Sequence, residues 1–266
     1  MLVVIRGGGD LATGTALRLY RAGMAVVVCE TAVPTSIRRT VCFSEAVRLG
    51  ETEVEGVTAR LAALADLPDL LERGIVPVLA DPEGACIPAL APDAVVDAII
   101  AKRNLGTRMD MAPVVVAAGP GFTAGVDCHA VVETMRGHYL GRVIYDGAAL
   151  PNTDVPGLIG GYAGERVLRA PADGVFRGVK RIGDRVRAGE AAGYVDGAPM
   201  VCTIDGVLRG LLADGVPVRR GMKSGDVDPR CAPEHCLCAS DKALAVGGGV
   251  LEAILRLSGA LRRQRP

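Results

Sequence analysis

Three consecutive glycines, Gly7-Gly8-Gly9, follow the apolar run Leu2-Val3-Val4-Ile5 and precede a segment in which Leu11, Thr15, Leu19 and Ala22 share one helical face. Gly7, Gly9 and Ala12 fit the spacing G-x-G-x-x-G/A. The chemistry open to such a turn is anion binding. Gly7 allows the tight turn, Gly9 lets the backbone approach a pyrophosphate, and Ala12 lets helix and strand pack closely. The first N–H groups of the helix then face the ligand. Glu30 closes the second apolar run, 30 − 9 = 21 residues after Gly9, where an acid holds a ribose hydroxyl in dinucleotide-binding folds. Asp10 acts in the opposite sense, because a carboxylate at the helix start competes for the same N–H groups. The plain alternative is a tight strand–helix turn with Asp10 as its cap.

A second glycine loop, Gly119-Pro120-Gly121-Phe122-Thr123-Ala124-Gly125, follows the apolar run Val114 to Ala118. Gly119 and Gly121 are candidates to close the same crevice, since ligands of open α/β sheets sit at the carboxyl ends of strands; a structural turn weighs equally. Arg38, in Ile37-Arg38-Arg39-Thr40, is placed to meet a 2′-phosphate or another anion, with a solvated surface arginine as the alternative. Lys102, Arg103 and Asn104 follow a further apolar run that ends near Asp97 and are read as anchors for an acidic ligand.

Cys231, His235, Cys236 and Cys238 cluster within eight positions but lack the paired spacing of a structural zinc site. They read as packing cysteines, with a thiol activated by His235 as the alternative. His129 and His138 stand alone. No Ser-His-Asp grammar, P-loop or paired-carboxylate signature is present, so the sequence names no catalytic residue.

The elements that would position these residues alternate strand and helix, which predicts a parallel sheet with right-handed crossovers. Strands are expected at Leu2–Ile5, Met24–Cys29, Val76–Ala80, Ala94–Ile99 and Val114–Ala118, and another near Cys128–Glu133. Helices are expected over residues 11–22, closed by Gly23, and 61–73, closed by Gly74. Past Arg166 helical periodicity gives way to frequent glycines and an internal repeat. Asp173-Gly174-Val175-Phe176-Arg177-Gly178 recurs as Asp205-Gly206-Val207-Leu208-Arg209-Gly210, an offset of 205 − 173 = 32 residues. Gly183, Val186, Arg187, Gly189 and Gly193 match Gly215, Val218, Arg219, Gly221 and Gly225 at the same offset. Neither half can bury a face alone, so the pair predicts a small pseudo-symmetric β sandwich. Ser240-Asp241 then announces a last helix over residues 243–261. Gly247-Gly248-Gly249 inside it imply a break, or close packing against another element. The tail 262–266 is expected to fray.

Composition sets the outer bounds. The 266 residues are 50% hydrophobic and only 3% aromatic, with a mean hydropathy of +0.32. Val-rich runs with few aromatics suit strands buried on both faces. Basic and acidic residues balance at 30 each, which argues against nucleic acid as a partner. No apolar run is long enough to cross a membrane, and no secretory leader is visible. The expectation is a cytoplasmic protein, with most of its eight cysteines acting as small buried hydrophobes.

Two resemblances add to this reading. Ala170-Pro171-Ala172-Asp173-Gly174-Val175, then Gly183-Asp184-Arg185-Val186 and Gly189, resemble the biotinyl/lipoyl barrel-sandwich half-motif; the hairpin near Asp196-Gly197-Ala198-Pro199 lacks the lysine that such modules modify. Over nearly its full length the chain resembles the YqeB family of selenium-dependent molybdenum hydroxylase system proteins. The strings that carry this are Gly7-Gly8-Gly9-Asp10-Leu11-Ala12-Thr13-Gly14, Ile37-Arg38-Arg39, Ala101-Lys102-Arg103-Asn104-Leu105-Gly106-Thr107, Gly119-Pro120-Gly121-Phe122, Arg136-Gly137-His138, Pro151-Asn152-Thr153 and Ser240-Asp241-Lys242-Ala243. Cys231 and Cys238 fall outside the family's pattern. The resemblance implies a role in maturing a molybdenum hydroxylase, through its molybdopterin cofactor or that cofactor's sulfur or selenium ligand.

The expected fold class is therefore α/β: a Rossmann-like parallel sheet domain over 1–165, a small all-β barrel-sandwich module over 166–232, and a C-terminal helical segment over 233–266 that packs back on the first domain. The expected function is a maturation factor binding a dinucleotide or molybdopterin nucleotide at Gly7, Gly8, Gly9, Asp10, Ala12, Glu30, Arg38, Lys102, Arg103, Asn104, Gly119 and Gly121. The expected partners are a molybdenum hydroxylase or its maturation machinery, with a homo-oligomer left open. An NAD(P)-dependent oxidoreductase and a non-catalytic adaptor are the alternatives.

Overall fold

In the computed structural model, which describes residues 1–153 and 155–260, the chain divides into two compact units. The first comprises Met1–Ala32, Phe43–Asn152 and the segment from Ala239 onward; the second comprises Val33–Cys42 and Thr153–Cys238.

The first unit is built on a nine-stranded sheet. β1 (Leu2–Arg6) leads into α1 (Asp10–Arg21) and β2 (Ala25–Glu30). After α2 (Glu45–Leu49) comes a hairpin, β3 (Glu51–Val54) and β4 (Val57–Leu61). Then follow α3 (Leu67–Glu72), β5 (Val76–Ala80), α4 (Ile87–Leu90) and β6 (Ala94–Asp97). β7 (Val114–Ala118), β8 (Thr123–Ala124), β9 (Ala130–Val132), β10 (Val143–Ile144) and β11 (Gly147–Ala148) complete the strands of this unit. The sheet order is β10-β9-β7-β6-β1-β2-β5-β4-β3, with β8 and β11 forming a separate pair. All pairings from β4 to β9 are parallel; the edge pairs β3–β4 and β9–β10 are antiparallel. The apolar runs that lack alternation become central strands buried on both faces, as in Val3, Val4, Ile5, Val26, Val27 and Val28.

One expectation is corrected here, and another is decided between its two alternatives in favour of close packing. The helix expected over 61–73 begins only at Leu67, and residues 51–61 form the β3–β4 hairpin instead. Its two-residue turn, Glu55-Gly56, has positive φ at both positions (50° and 79°), the geometry that matches strand twist in hairpins. The glycines at 247–249 break nothing: α5 (Asp241–Ser258) runs straight through them. Its N-cap is Ser240, whose Oγ accepts the Ala243 N–H. α5 packs on α1 and against β7, β9 and β10. A Cβ on Gly14 of α1 would stand 2.6 Å from the Ala243 Cβ, and one on Gly247 2.8 Å from the Gly14 carbonyl oxygen. The glycines are thus what lets two helix backbones cross closely. Leu261 and the tail 262–266 lie outside the described residues.

In the second unit the 32-residue offset reappears in the strands. β12 (Val167–Arg169), β13 (Gly174–Gly178), β14 (Arg185–Val186) and β15 (Ala191–Val195) make the first half. β16 (Ala198–Val201), β17 (Gly206–Leu211), β18 (Pro217–Val218) and β19 (Lys223–Asp228) make the second. The halves exchange strands: one sheet runs β16-β15-β13-β18 and the other β12-β19-β17-β14. Each order converts into the other when every strand is replaced by its repeat partner, so a pseudo-twofold relates the sheets. Among the described residues these strands do not close into a barrel. Phe176, Leu168, Met200, Leu208, Leu211 and Leu212 fill the core, with Ile37 packed against it.

Candidate functional site

The sheet order marks the edge at which ligands of open α/β sheets bind. From β1 the chain builds outward through β2 and β5, then returns to place β6 on the other side of β1 and continues to β7 and β9. The direction of winding reverses between β1 and β6, and ligands of open α/β sheets bind at the carboxyl ends of strands at such a switch point. The glycine turn follows β1, the Lys102–Asn104 segment follows β6, and the Gly119–Gly121 loop follows β7. All three leave the same edge of the sheet.

The glycine turn is tied down by its own backbone. Gly7 (φ 100°) donates to the Cys29 carbonyl at 2.7 Å, extending the β1 ladder. A Cβ on Gly7 would stand 2.9 Å from the Ala98 carbonyl oxygen, so this glycine is required for β1 and the end of β6 to approach. The Gly8 carbonyl accepts from Ser44 N at 2.9 Å and from the Thr13 hydroxyl at 3.2 Å. That hydroxyl in turn accepts from Phe43 N. Gly9 is the N-cap of α1, in extended conformation and with no side-chain cap. Asp10 opens the helix and Ala12 is buried within it.

Glu30 reaches this turn directly. Its Oε2 accepts the Gly8 N–H at 2.8 Å and its Oε1 accepts Thr31 N at 2.7 Å. A carboxylate has about four acceptor positions, and these two N–H contacts use one on each oxygen. The Gly8 N–H is thereby occupied, so it is not a donor to any anion at this turn.

The structure also brings together the loops after β6 and β7. Asn104 donates to the Thr107 carbonyl at 2.9 Å and to Asp127 Oδ1 at 3.2 Å, and accepts from Thr107 N at 2.7 Å. Asp127 in turn accepts from Thr123 N at 2.7 Å. A Cβ on Gly121 would stand 2.6 Å from Arg103 Cα. Asn104 is therefore a clamp between loops, while Lys102 and Arg103 stay exposed. Ile100 and Lys102 both have positive φ, 60° and 61°. For a β-branched residue this is an outlier. Such conformations cost about 1–3 kcal/mol each and cluster at binding sites.

Sequence reasoning missed the polar pair beneath these loops. Arg6 ends β1 and Asp97 ends β6, side by side in register. Each is only 1% exposed. Arg6 Nη1 lies 3.6 Å from Asp97 Oδ2 and donates to the Thr107 hydroxyl at 2.5 Å; that hydroxyl donates to Asp97 at 2.6 Å. Arg6 Nη2 donates to the Leu105 carbonyl at 3.0 Å. Burial pushes the Asp97 carboxyl up, against the opposing pull of Thr107, Ile99 N–H and Arg6. This network fixes the path of the Lys102–Thr107 loop. The signal in the sequence was a charge ending each of two apolar runs.

The other residues singled out in the sequence have partners of their own. Arg38 belongs to the second unit, where its guanidinium donates to the carbonyls of His235 (3.0 Å) and Cys238 (3.2 Å). Cys236 is buried, Cys238 is exposed, and Cys231 is half-buried; they do not converge. His129 is structural, its Nδ1 accepting Val115 N at 2.9 Å, and His138 is exposed beside Tyr139. Among the described residues, one group of three metal-competent side chains does converge: Cys29, Asp81 and Cys86. The hydrogen bond between the two thiols and their burial push the Cys29 thiol up. No helix among the described residues is long and apolar enough to cross a membrane.

No family model matches the chain. Over 257 residues, 96% of its length, it is 54% identical to "Uncharacterized protein YqeB" of Escherichia coli (strain K12). The chain spans about half of that relative, 48% of its length. A succinylglutamate desuccinylase/aspartoacylase crystal structure from Rhodobacter sphaeroides is similar with a TM-score of 0.22 and 29% identity, over 24% of this chain and 22% of that one. The first match supports the YqeB family.

Proposed function

We propose, with the YqeB affiliation as the premise, that this chain is an accessory factor that binds a nucleotide-bearing ligand, a dinucleotide or molybdopterin nucleotide, during maturation of a molybdenum hydroxylase. The observation that carries the binding is the switch point between β1 and β6, with a glycine turn, a helix N-terminus and an acid from β2 meeting at one edge. In this reading the first N–H groups of α1 take the pyrophosphate, Glu30 takes ribose hydroxyls on its remaining acceptor positions, and Lys102 and Arg103 screen outer anionic groups. The loop at Gly119 to Gly121 covers the ligand.

The second unit is read as a barrel-sandwich module that docks a partner instead of carrying a group. What supports this is the reciprocal strand exchange and the turn at Asp196-Gly197, which joins β15 to β16 without a lysine.

The test is mass spectrometry of small molecules released from gently purified full chain, followed by calorimetric titration with NADH and with a molybdopterin dinucleotide. A pterin nucleotide in near-stoichiometric amount is the expected result. Absence of any bound nucleotide, together with no heat on adding either ligand, would remove the binding reading.

A further inference from the structure

Three side chains that the nucleotide reading does not use meet at the neighbouring strand ends. Cys29 lies near the end of β2, Asp81 directly follows β5, and Cys86 directly precedes α4. Cys29 and Cys86 are 2% and 4% exposed, and their sulfurs are 3.4 Å apart. One oxygen of Asp81 and the two sulfurs all lie within 4.8 Å of one another. Asp81 is held for this role by its own turn: its carboxylate accepts from Ala85 N at 2.9 Å and Cys86 N at 2.8 Å and also from the Gly84 N–H and the Cys86 thiol. The position facing the thiol is released to a metal once that sulfur is a thiolate.

Distance decides between the two chemistries open to such a dithiol. A disulfide needs its sulfurs about 2.05 Å apart, so the pair would have to close by about 1.3 Å inside a packed core. Two thiolates on a tetrahedral zinc ion, each at about 2.3 Å, stand about 3.8 Å apart. The pair then has to open by only about 0.4 Å. Sulfur donors also select zinc and similar soft ions over the hard divalent cations.

We propose that Cys29, Cys86 and Asp81 form a zinc site with three protein ligands. Three ligands leave the fourth position of the tetrahedron open to water or a small ligand, as in catalytic zinc sites, whereas structural sites use four. A buried polar atom lies against the same turn: Arg6 Nε has no hydrogen-bond partner among the described residues and stands 3.6 Å from where a Cβ on Gly84 would be, in the Asp81–Cys86 turn. Binding exchanges two thiol protons for the metal: both sulfurs bind as thiolates and two protons pass to solvent.

The test is titration of the fully reduced 266-residue chain with Co2+ as a spectroscopic stand-in, followed by displacement with Zn2+. The expected result is one Co2+ per chain, a thiolate-to-cobalt charge-transfer band, intense tetrahedral visible bands, and loss of both on adding one equivalent of Zn2+. Cys29→Ser and Cys86→Ser should each weaken binding by at least the ~10–100-fold that losing an outer-shell partner costs. Asp81→Asn, which keeps a carbonyl oxygen, should weaken it without removing the charge-transfer band. Circular dichroism checks that each variant is folded. No stoichiometric Co2+ binding by the reduced wild-type chain would overturn the proposal, as would binding that survives both serine substitutions. A second measurement is independent of folding in the variants. The wild-type chain is exposed to oxidised glutathione with and without equimolar Zn2+. Protection of Cys29 and Cys86 by zinc supports the site, and a 29–86 disulfide formed equally in both samples overturns it.

Discussion

Gly9 offers the sharpest separation of fold from function. Its φ of −69° and ψ of −175° are extended values open to any residue, and as the N-cap of α1 it contributes no side-chain cap. Serine at an N-cap is better than glycine by a few tenths of a kcal/mol. For a protein of this size that is worth about 1 °C in Tm. Nothing in those dihedral angles therefore calls for glycine, and in the nucleotide reading proposed above the glycine serves close approach of a ligand to the loop. Gly7→Ala could not make this distinction. Gly7 needs positive φ, and its Cβ would meet the Ala98 carbonyl. Strain of about 1–3 kcal/mol and overpacking of about 1–3 kcal/mol would then damage fold and site together. The prediction is that Gly9→Ser keeps or slightly raises Tm by scanning fluorimetry, and loses at least tenfold in nucleotide affinity by calorimetry, about 1.4 kcal/mol. A serine variant that binds as wild type would refute the role of the loop. One that unfolds would refute the backbone reasoning.

Three further outcomes follow from the packing. Gly248, with nothing within 4 Å of its would-be Cβ, should gain up to about 1 kcal/mol on substitution by alanine, whereas Gly14→Ala should lose about 1–3 kcal/mol through overpacking against Ala243; urea denaturation of the two variants should move in opposite directions. Asp97→Ala leaves the buried Arg6 guanidinium without its counter-charge and should cost about 3–5 kcal/mol, read as an equally large drop in unfolding free energy. In the second unit, burial raises the Asp228 carboxyl, but the Arg230 side chain and N–H, with Arg209, more than offset it and hold it down to about 2. Its stabilisation is complete above the unfolded-state value of about 3.9 and is lost as pH falls toward 2. Acid unfolding followed by near-ultraviolet signal should therefore be steep over that window, and flatter in Asp228→Asn.

Much of the first unit was legible because its signals are local. An unbroken Val-rich run means a doubly buried strand, and Gly7–Gly9 followed by a 3.6-residue period means a turn into a helix. The β3–β4 hairpin was missed because Leu61, Leu64, Leu67 and Leu71 carry a helical spacing that overlaps its end. The alternation of Val54, Val57 and Ala59 around Glu55-Gly56 was the competing signal. The strand exchange in the second unit could be anticipated as two-fold symmetry, since the repeat is written in the sequence, but which strands swap depends on pairing between distant segments. The same holds for Arg6 with Asp97, and for Cys29 with Cys86, 57 positions apart. Cys29 read as a small hydrophobe because its neighbours in sequence are valines. Only the sheet order puts the turn after β5 beside it.

The sheet order also exposes a dependence that runs against chain order. Parallel strands need crossover connections, usually helices, yet among the described residues no α-helix joins β6 to β7 or β7 to β9. The cover for β7, β9 and β10 is α5, which arrives after residues 153–238 have been spent on the second unit. α5 buries Ala243, Val246, Val250, Ala253 and Ile254. At about 25 cal/mol per Å² of apolar surface, burial of a Val or Ile side chain is worth about 1.5–3 kcal/mol, so losing the gross gain from this apolar face is comparable with a typical net stability of about 5–15 kcal/mol. A fragment ending at Asn152 should therefore leave its α1 face open and bind the dye ANS. Adding a peptide of residues 239–260 in trans should quench that signal and restore cooperative unfolding. A fragment that folds cooperatively without the peptide would show that the sheet closes on its first 152 residues alone, and the close glycine crossing of α1 and α5 would then have another purpose.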